Sequence, residues 1–328
     1  GKVLPLLFFG FVLVGLSLVQ TNNRRTDEEM SPAQWFLFAA TLWLPWVLAG
    51  SYLLIHFFNA RGVVANIVDW WFIHNFARVY LTFVGLGTLF HFLPALSGRQ
   101  LVGRGYAQFA FWIMLLFGSV GGVGPGAPVP AWLPALSTVS AVFYFFGVIA
   151  VWMSLKQTIS GASAADTADS LAYNLMRLAA LVFISMGVLN VFFAFPGPGS
   201  VAEFTTYGPA MKLLFNLGFV GLILVAALYH IFPSLAGIDF SPKMTRIQTT
   251  AIVLGALGAT LPSALGGLMS GDAVLGSGFY FASLGDLLLL AGSAILFLNF
   301  LGAILFSIKN CGCLAGICCR GEKKEANA

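Results

Sequence analysis

Apolar residues run along this chain in nine long stretches, separated by short polar or Gly/Pro-rich breaks. They fall near 3–20, 33–58, 70–95, 105–122, 131–155, 172–195, 208–234, 245–270 and 277–308. A membrane-crossing helix needs roughly 20 apolar residues, whereas a barrel strand shows about ten of alternating polarity. These stretches are continuous and rich in Leu, Phe and Gly. They predict an all-α, polytopic transmembrane helical bundle of about nine spans. The breaks are short: 121–130 is nearly all Gly, Pro, Ala and Val, 195–200 reads F-P-G-P-G-S, and 160–170 carries small residues with Asp. Such connections leave no room for a soluble domain. Residues 1–310 read as one transmembrane domain and 311–328 as a cytoplasmic Cys/Lys-rich tail.

Composition agrees: 59% of residues are hydrophobic and 9% charged, with a mean hydropathy of +0.91, against about 25% charged in soluble domains. The few cations are placed asymmetrically. Arg24 and Arg25 follow the first stretch, Arg99 and Arg104 the third, and Lys156 the fifth. Lys243 and Arg246 follow the seventh, and Lys309, Arg320, Lys323 and Lys324 the ninth. The other side carries Glu203 and Asp272, with Lys2 and Arg61 as exceptions. By the positive-inside rule the N-terminus lies outside and the C-terminus in the cytoplasm of a bacterial inner membrane. Residues 1–20 have the basic-then-apolar order of a signal peptide. That reading would put Arg24 and Arg25 outside, so a genuine span is expected. The net charge of +4 is membrane anchoring and implies no nucleic acid; lipids and other membrane subunits are the expected partners.

A repeat is visible. His91-Phe-Leu-Pro94-Ala-Leu-Ser-Gly98 closes the third stretch and His230-Ile-Phe-Pro233-Ser-Leu-Ala-Gly237 the seventh. Both read as helix ends stopped by Pro, four helices apart on one membrane face. This suggests a bundle of four-helix arcs about an internal rotation axis.

Four His are available for chemistry: His56, His74, His91 and His230. His74 ends the run Trp70-Trp71-Phe72-Ile73-His74, with Asn75 after it. A low-spin haem takes two axial ligands and copper several imidazoles. His74 and His91 lie on one helix too far apart to share a metal, which leaves His56 and His74 as the pair able to meet. The alternatives are helix capping for His91 and His230, and a hydrogen-bonded buried imidazole for His74. Ionisable groups inside a membrane need partners. Arg78, Lys212 and Asp286 all fall in the outer half of the bundle, and Asp286 is expected to pair with Lys212 or Arg78; snorkelling of the cations is the alternative. His74, Arg78, Lys212 and Asp286 thus form a candidate polar cluster. The tail thiols Cys311, Cys313, Cys318 and Cys319 match no usual zinc or iron–sulfur spacing and read as free thiols, with acylation or a soft metal as the alternatives.

The segment W70-W-F-I-H74-N75, with Leu81-Thr82, Leu86-Gly87 and Pro94, resembles the sixth helix of subunit I of the haem–copper oxidases, cbb-type and nitric oxide reductase branch. Asn216-Leu217-Gly218 through Tyr229-His230 and Pro233 is similar to the family's tenth helix. With Arg177, Gly187 and Gly124-Pro125, the resemblance covers most of 31–308 and implies family helices four to twelve. It maps a copper-ligating His onto His74. The other family ligand positions fall on Gly126 and Ala127 for copper and on Met211 and Leu213 for the haems. The family's tyrosine falls on Val120 and a glutamate near Phe192. The resemblance therefore implies a degenerate member. It is expected to hold no haem or copper and to serve as an accessory subunit of a respiratory electron-transfer complex whose partner subunits carry haem. Bulky side chains are expected to fill the vacated space. Two other readings stand beside it: a proton, ion or solute path through the polar cluster, and a redox subunit with atypical ligation by His56 and His74 or by Met211.

Overall fold

The computed structural model describes residues 3–24, 29–160, 171–203, 205–236, 240–269 and 272–311. Of the tail thiols, Cys311 ends the last helix and Cys313, Cys318 and Cys319 lie outside the described residues. The chain is a polytopic transmembrane helical bundle, without strands among the described residues. It divides into two compact units, residues 1–203 and 204–328.

The first unit contains α1 (Val3–Asn23), α2 (Pro32–Tyr52), α3 (Val63–Asn75), α4 (Thr82–Leu96), α5 (Arg104–Gly118), α6 (Trp132–Ile159), α7 (Leu171–Ala194) and the short α8 (Pro196–Ala202). Local signals set the boundaries. Ser31 and Gln34 form a capping box ahead of Pro32, each side chain accepting from the other's backbone N–H, which satisfies two helix-end donors. α3 and α4 are joined through a π-helical turn, Phe76–Leu81, into one span, Val63–Leu96. The core of this unit is aromatic. Phe36 and Phe83 are fully buried, their rings meet edge-on at 4.8 Å, and Phe90 and Phe111 complete the cluster. Edge-on rings add to the burial of their area.

The second unit comprises α9 (Tyr207–Leu214), a π turn (Phe215–Gly221), α10 (Leu222–Ala236), α11 (Pro242–Leu268) and α12 (Asp272–Cys311). α11 and α12 approach backbone to backbone through glycine. A Cβ on Gly285 would lie 2.1 Å from the Ala259 amide nitrogen, and one on Gly255 2.7 Å from that of Leu289. Within a bilayer such small-residue seams give helices their close van der Waals contact. A polar knot adds a second tie. The Asn299 amide donates to the Thr245 hydroxyl (2.9 Å) and the Tyr229 phenol (3.2 Å), and Tyr229 donates to Gln248. It links α10, α11 and α12.

The sequence repeat has a backbone counterpart. Both spans carrying it, Val63–Leu96 and Tyr207–Leu235, contain a π turn. It starts at Phe76 ahead of His91 and at Phe215 ahead of His230, the same interval in each. Pro94 and Pro233 sit inside the closing helices.

Eight described helices are long and apolar enough to cross a membrane by themselves, and the fourth of the nine expected stretches forms a shorter helix. The stretch 105–122 yields only α5, 15 residues long. At 1.5 Å per residue this reaches about 22 Å, short of a ~30 Å hydrocarbon core. The helix stops because the chain turns at Gly121 (φ 126°) and Gly122 (φ 98°), a conformation that favours glycine.

Gly285→Ala should therefore lower the stability of the detergent-solubilised protein by about 1–3 kcal/mol, the usual cost of overpacking. Gly302→Ala, whose Cβ meets nothing within 4 Å, should leave the thermal midpoint unchanged. Equal midpoints for the two variants would contradict the glycine seam.

Candidate functional site: the His74 loop clamp

The run Trp70–Asn75 forms the last turns of α3, and its polar atoms converge on the loop that leaves α5. Asn75 is fully buried, and its amide nitrogen donates to the carbonyls of Trp71 (2.9 Å) and Ser119 (3.1 Å). Its amide oxygen accepts from the Trp43 indole at 3.0 Å. The Trp71 indole also donates to the Ser119 carbonyl, at 3.2 Å. From the other side the Ser140 hydroxyl of α6 reaches the carbonyls of Phe117 and Val120, and Ser137 accepts from Val123 N–H. These carbonyls lie beyond the reach of helical pairing and would otherwise be unsatisfied in an apolar setting.

This clamp sets the loop on His74. A Cβ on Gly122 would stand 2.6 Å from His74 Cβ and 2.9 Å from the Trp70 carbonyl oxygen; one on Gly121 would lie 3.5 Å from His74 Nε2. Glycine backbone thus covers the imidazole. The Gly118 backbone lies within hydrogen-bonding reach of the ring. Nε2 is enclosed and has no hydrogen-bond partner, although the residue as a whole is half-buried.

Arg78, one turn on, points its guanidinium over the Tyr144 ring, 5.1 Å from the centroid. The Tyr144 hydroxyl donates to the Arg78 carbonyl (3.2 Å), and the Thr82 hydroxyl donates to that of Ala77 (3.0 Å). These two side chains satisfy carbonyls that the π turn displaces from regular pairing, which membrane interiors demand.

The positions matching the family's remaining copper ligands are carried elsewhere. Gly124 packs under Glu203, with both carboxylate oxygens 2.5 Å from where its Cβ would be, and Pro125 packs on Gly199 of α8. Gly126 is exposed and Ala127 half-buried. Neither has a side chain that ligates, and no group of three His, Cys, Asp or Glu among the described residues is arranged to hold a metal. One imidazole facing glycine backbone does not fit the copper of the resemblance. Met211 is half-buried and Leu213 exposed on α9; neither supplies a haem-ligating imidazole.

Other expected residues separate. His56 is exposed, its ring 4.6 Å from that of Tyr52, so it does not share the enclosed setting of His74. His91 and His230 are exposed near helix ends. Asp286 and Lys212 are both exposed and form no salt bridge; the ion pair found among the described residues is Arg104–Glu29, at 2.6 Å. The expected Lys212–Asp286 pairing is thus absent, because Asp286 follows Gly285 on the seam and falls on the outward face of α12. The phenylalanine cluster lies around Phe36 and Phe83, and Gly121 and Gly122 pack against His74. The roles of Asn75, Ser119, Ser140 and Tyr144 were not foreseen. Asn75 beside two Trp, and two adjacent Gly after an apolar stretch, were the available signals.

An all-α membrane bundle built around a loop-clamped histidine, with a repeated α–π–α span, defines the class. The family described as cytochrome c and quinol oxidase polypeptide I matches residues 3–275, and the chain belongs to it. It is 24% identical over 234 residues to a "Cytochrome c oxidase subunit 1 homolog" of Agrobacterium tumefaciens (strain T37), covering 66% of this chain and 42% of the relative. It is 23% identical over 193 residues to the "Cbb3-type cytochrome c oxidase subunit CcoN1" of Stutzerimonas stutzeri, covering 57% and 40%. The chain thus spans less than half the length of these relatives. Its fold resembles that of a heme-copper terminal oxidase dimer solved by cryo-electron microscopy, with a TM-score of 0.72 at 15% identity over 87% of this chain and 58% of that one.

Asn75→Ala should cost about 2–4 kcal/mol, since it strands buried hydrogen-bonding groups on three segments. His74→Leu should cost less, about 1 kcal/mol, since it removes one backbone contact at Gly118 together with a buried nitrogen that has no partner. Thermal unfolding of both variants in one lipid or detergent checks this; the reverse order would refute the clamp.

Proposed function

We propose that this chain is a cofactor-free, oxidase-subunit-I-like membrane subunit with a structural or assembly role in a larger respiratory electron-transfer complex. The observation that carries the reading is the enclosed His74: a histidine at the family's copper position, with the Gly121–Gly122 turn packed against it and Gly126 and Ala127 where further ligands would stand. Family membership supplies the context of an oxidase-like membrane subunit. Haem, where the complex has it, belongs to partner subunits. The positive-inside pattern supports placement in a bacterial cytoplasmic membrane, with the N-terminus outside and the tail inside.

The test uses the complex purified from native membranes. His74→Leu should leave its haem spectrum and its copper content per chain unchanged, and partner subunits should co-purify in full yield. Gly122→Val, which drives a branched side chain into His74, should reduce co-purification severalfold. Stoichiometric haem bands assigned to this chain, or copper lost with His74→Leu, would overturn the reading.

A further inference from the structure

α6 and α7 are antiparallel neighbours, and a groove of about 400 Å³ runs between them. Its polar lining gathers at one end, where Ile159 stands among it, and the rest is apolar. Lys156 lies near the C-terminal end of α6, and Arg177 and Asn174 lie near the start of α7. Farther from these ends the lining turns to Trp152, Leu181 and Ile184. On α6, Trp152 and Lys156 are one turn apart and share a face; on α7, Asn174, Arg177, Leu181 and Ile184 follow the same helical period. At 1.5 Å per residue, the two cations lie about 5 and 9 Å from their helix ends, and Ile184 about 20 Å.

Both cations are exposed, and neither forms a salt bridge with a described residue. Among the described residues no carboxylate lines the groove. Arg177 lies over the Tyr173 ring, 5.5 Å from its centroid, which restrains the guanidinium at the groove. Two cations at one end of a membrane groove, neither ion-paired with a described residue and continuous with an apolar channel along two spans, complement one kind of molecule. That molecule has a phosphodiester of net negative charge at one end and acyl chains at the other. A basic pocket between transmembrane helices is the general form of an anionic headgroup site, and a paired guanidinium and ammonium suit phosphate oxygens. The second groove of the same unit, along α5 and α6, has no cation in its lining and lacks this complementarity.

We propose that the α6–α7 groove binds one anionic phospholipid, its phosphate between Lys156 and Arg177 and an acyl chain along Trp152, Leu181 and Ile184. The proposal rests on this groove and the membrane setting of the fold, and not on whether the chain holds cofactors.

The full protein is reconstituted into nanodiscs of phosphatidylglycerol and phosphatidylcholine in equal parts. Lipid retained per chain after detergent extraction is then counted by native mass spectrometry. Wild type should retain one phosphatidylglycerol in preference to phosphatidylcholine. Lys156→Gln with Arg177→Gln should reduce that retention about tenfold or more, since each surface cation contributes roughly a factor of five toward an anionic leaflet. Lys156→Arg should preserve it, as should Arg61→Gln, a cation outside the groove. The exposed positions make misfolding an unsuitable explanation, and the midpoint of thermal unfolding without lipid checks that the double variant is folded. Inorganic phosphate added in place of lipid should neither protect wild type nor displace the lipid. The proposal is overturned if the double variant keeps its phosphatidylglycerol, if both lipids are retained equally, or if phosphate alone gives the same protection.

Discussion

The first unit depends on one backbone carbonyl. Ser119 ends α5, and its oxygen takes hydrogen bonds from both Trp71 and Asn75 of α3. In water such a carbonyl would find a partner anywhere. In an apolar bundle an unsatisfied one costs several kcal/mol, so these two donors fix where the chain can turn. Once Ser119 is held, Gly122 must pass over His74 at a separation that only a residue without Cβ permits, and Gly121 supplies the positive φ that brings the chain there. The shortened α5, the position of the Gly124–Pro125 loop and the enclosure of the imidazole follow from that constraint.

The same accounting explains the π turns. A π turn shifts the carbonyl register and leaves oxygens that regular helical pairing does not reach. After His74 these are met by Thr82 and Tyr144. The turn and its polar supports remain although the ligands that would surround His74 are replaced by Gly126 and Ala127. On the proposed cofactor-free reading, hydrogen bonds and packing hold this framework without metal–ligand bonds. Glycine serves the two units differently: it admits a loop over a ring in the first, and it brings α11 and α12 into backbone contact in the second.

Much of the architecture was legible in the sequence. Uninterrupted apolar stretches specify spans because the bilayer sets their length, and the run from Trp70 to Asn75 with Pro94 marked a recognisable helix. The repeat starting at His91 and His230 pointed to paired spans, although no hydropathy pattern reveals that each contains a π turn. Helix termination at Gly118 was hidden, since Val120 and Val123 keep the stretch apolar while positive φ at two glycines breaks it. The fate of charges was hardest to read. Asp286 and Lys212 looked alike as intramembrane charges, and a one-residue offset from a seam glycine decides that Asp286 faces outward. Asn75 was invisible as a structural residue because two of its three partners, Trp43 and Ser119, are distant in sequence.

The most direct measurement is the density around His74 in a high-resolution cryo-electron microscopy map of the native complex. The account predicts Gly121 backbone in van der Waals contact with the Nε2 side of the ring and no further density bonded to that nitrogen. A compact peak about 2 Å from Nε2, the distance of a metal–imidazole bond, with the Gly121–Gly122 turn displaced to admit it, would contradict the account.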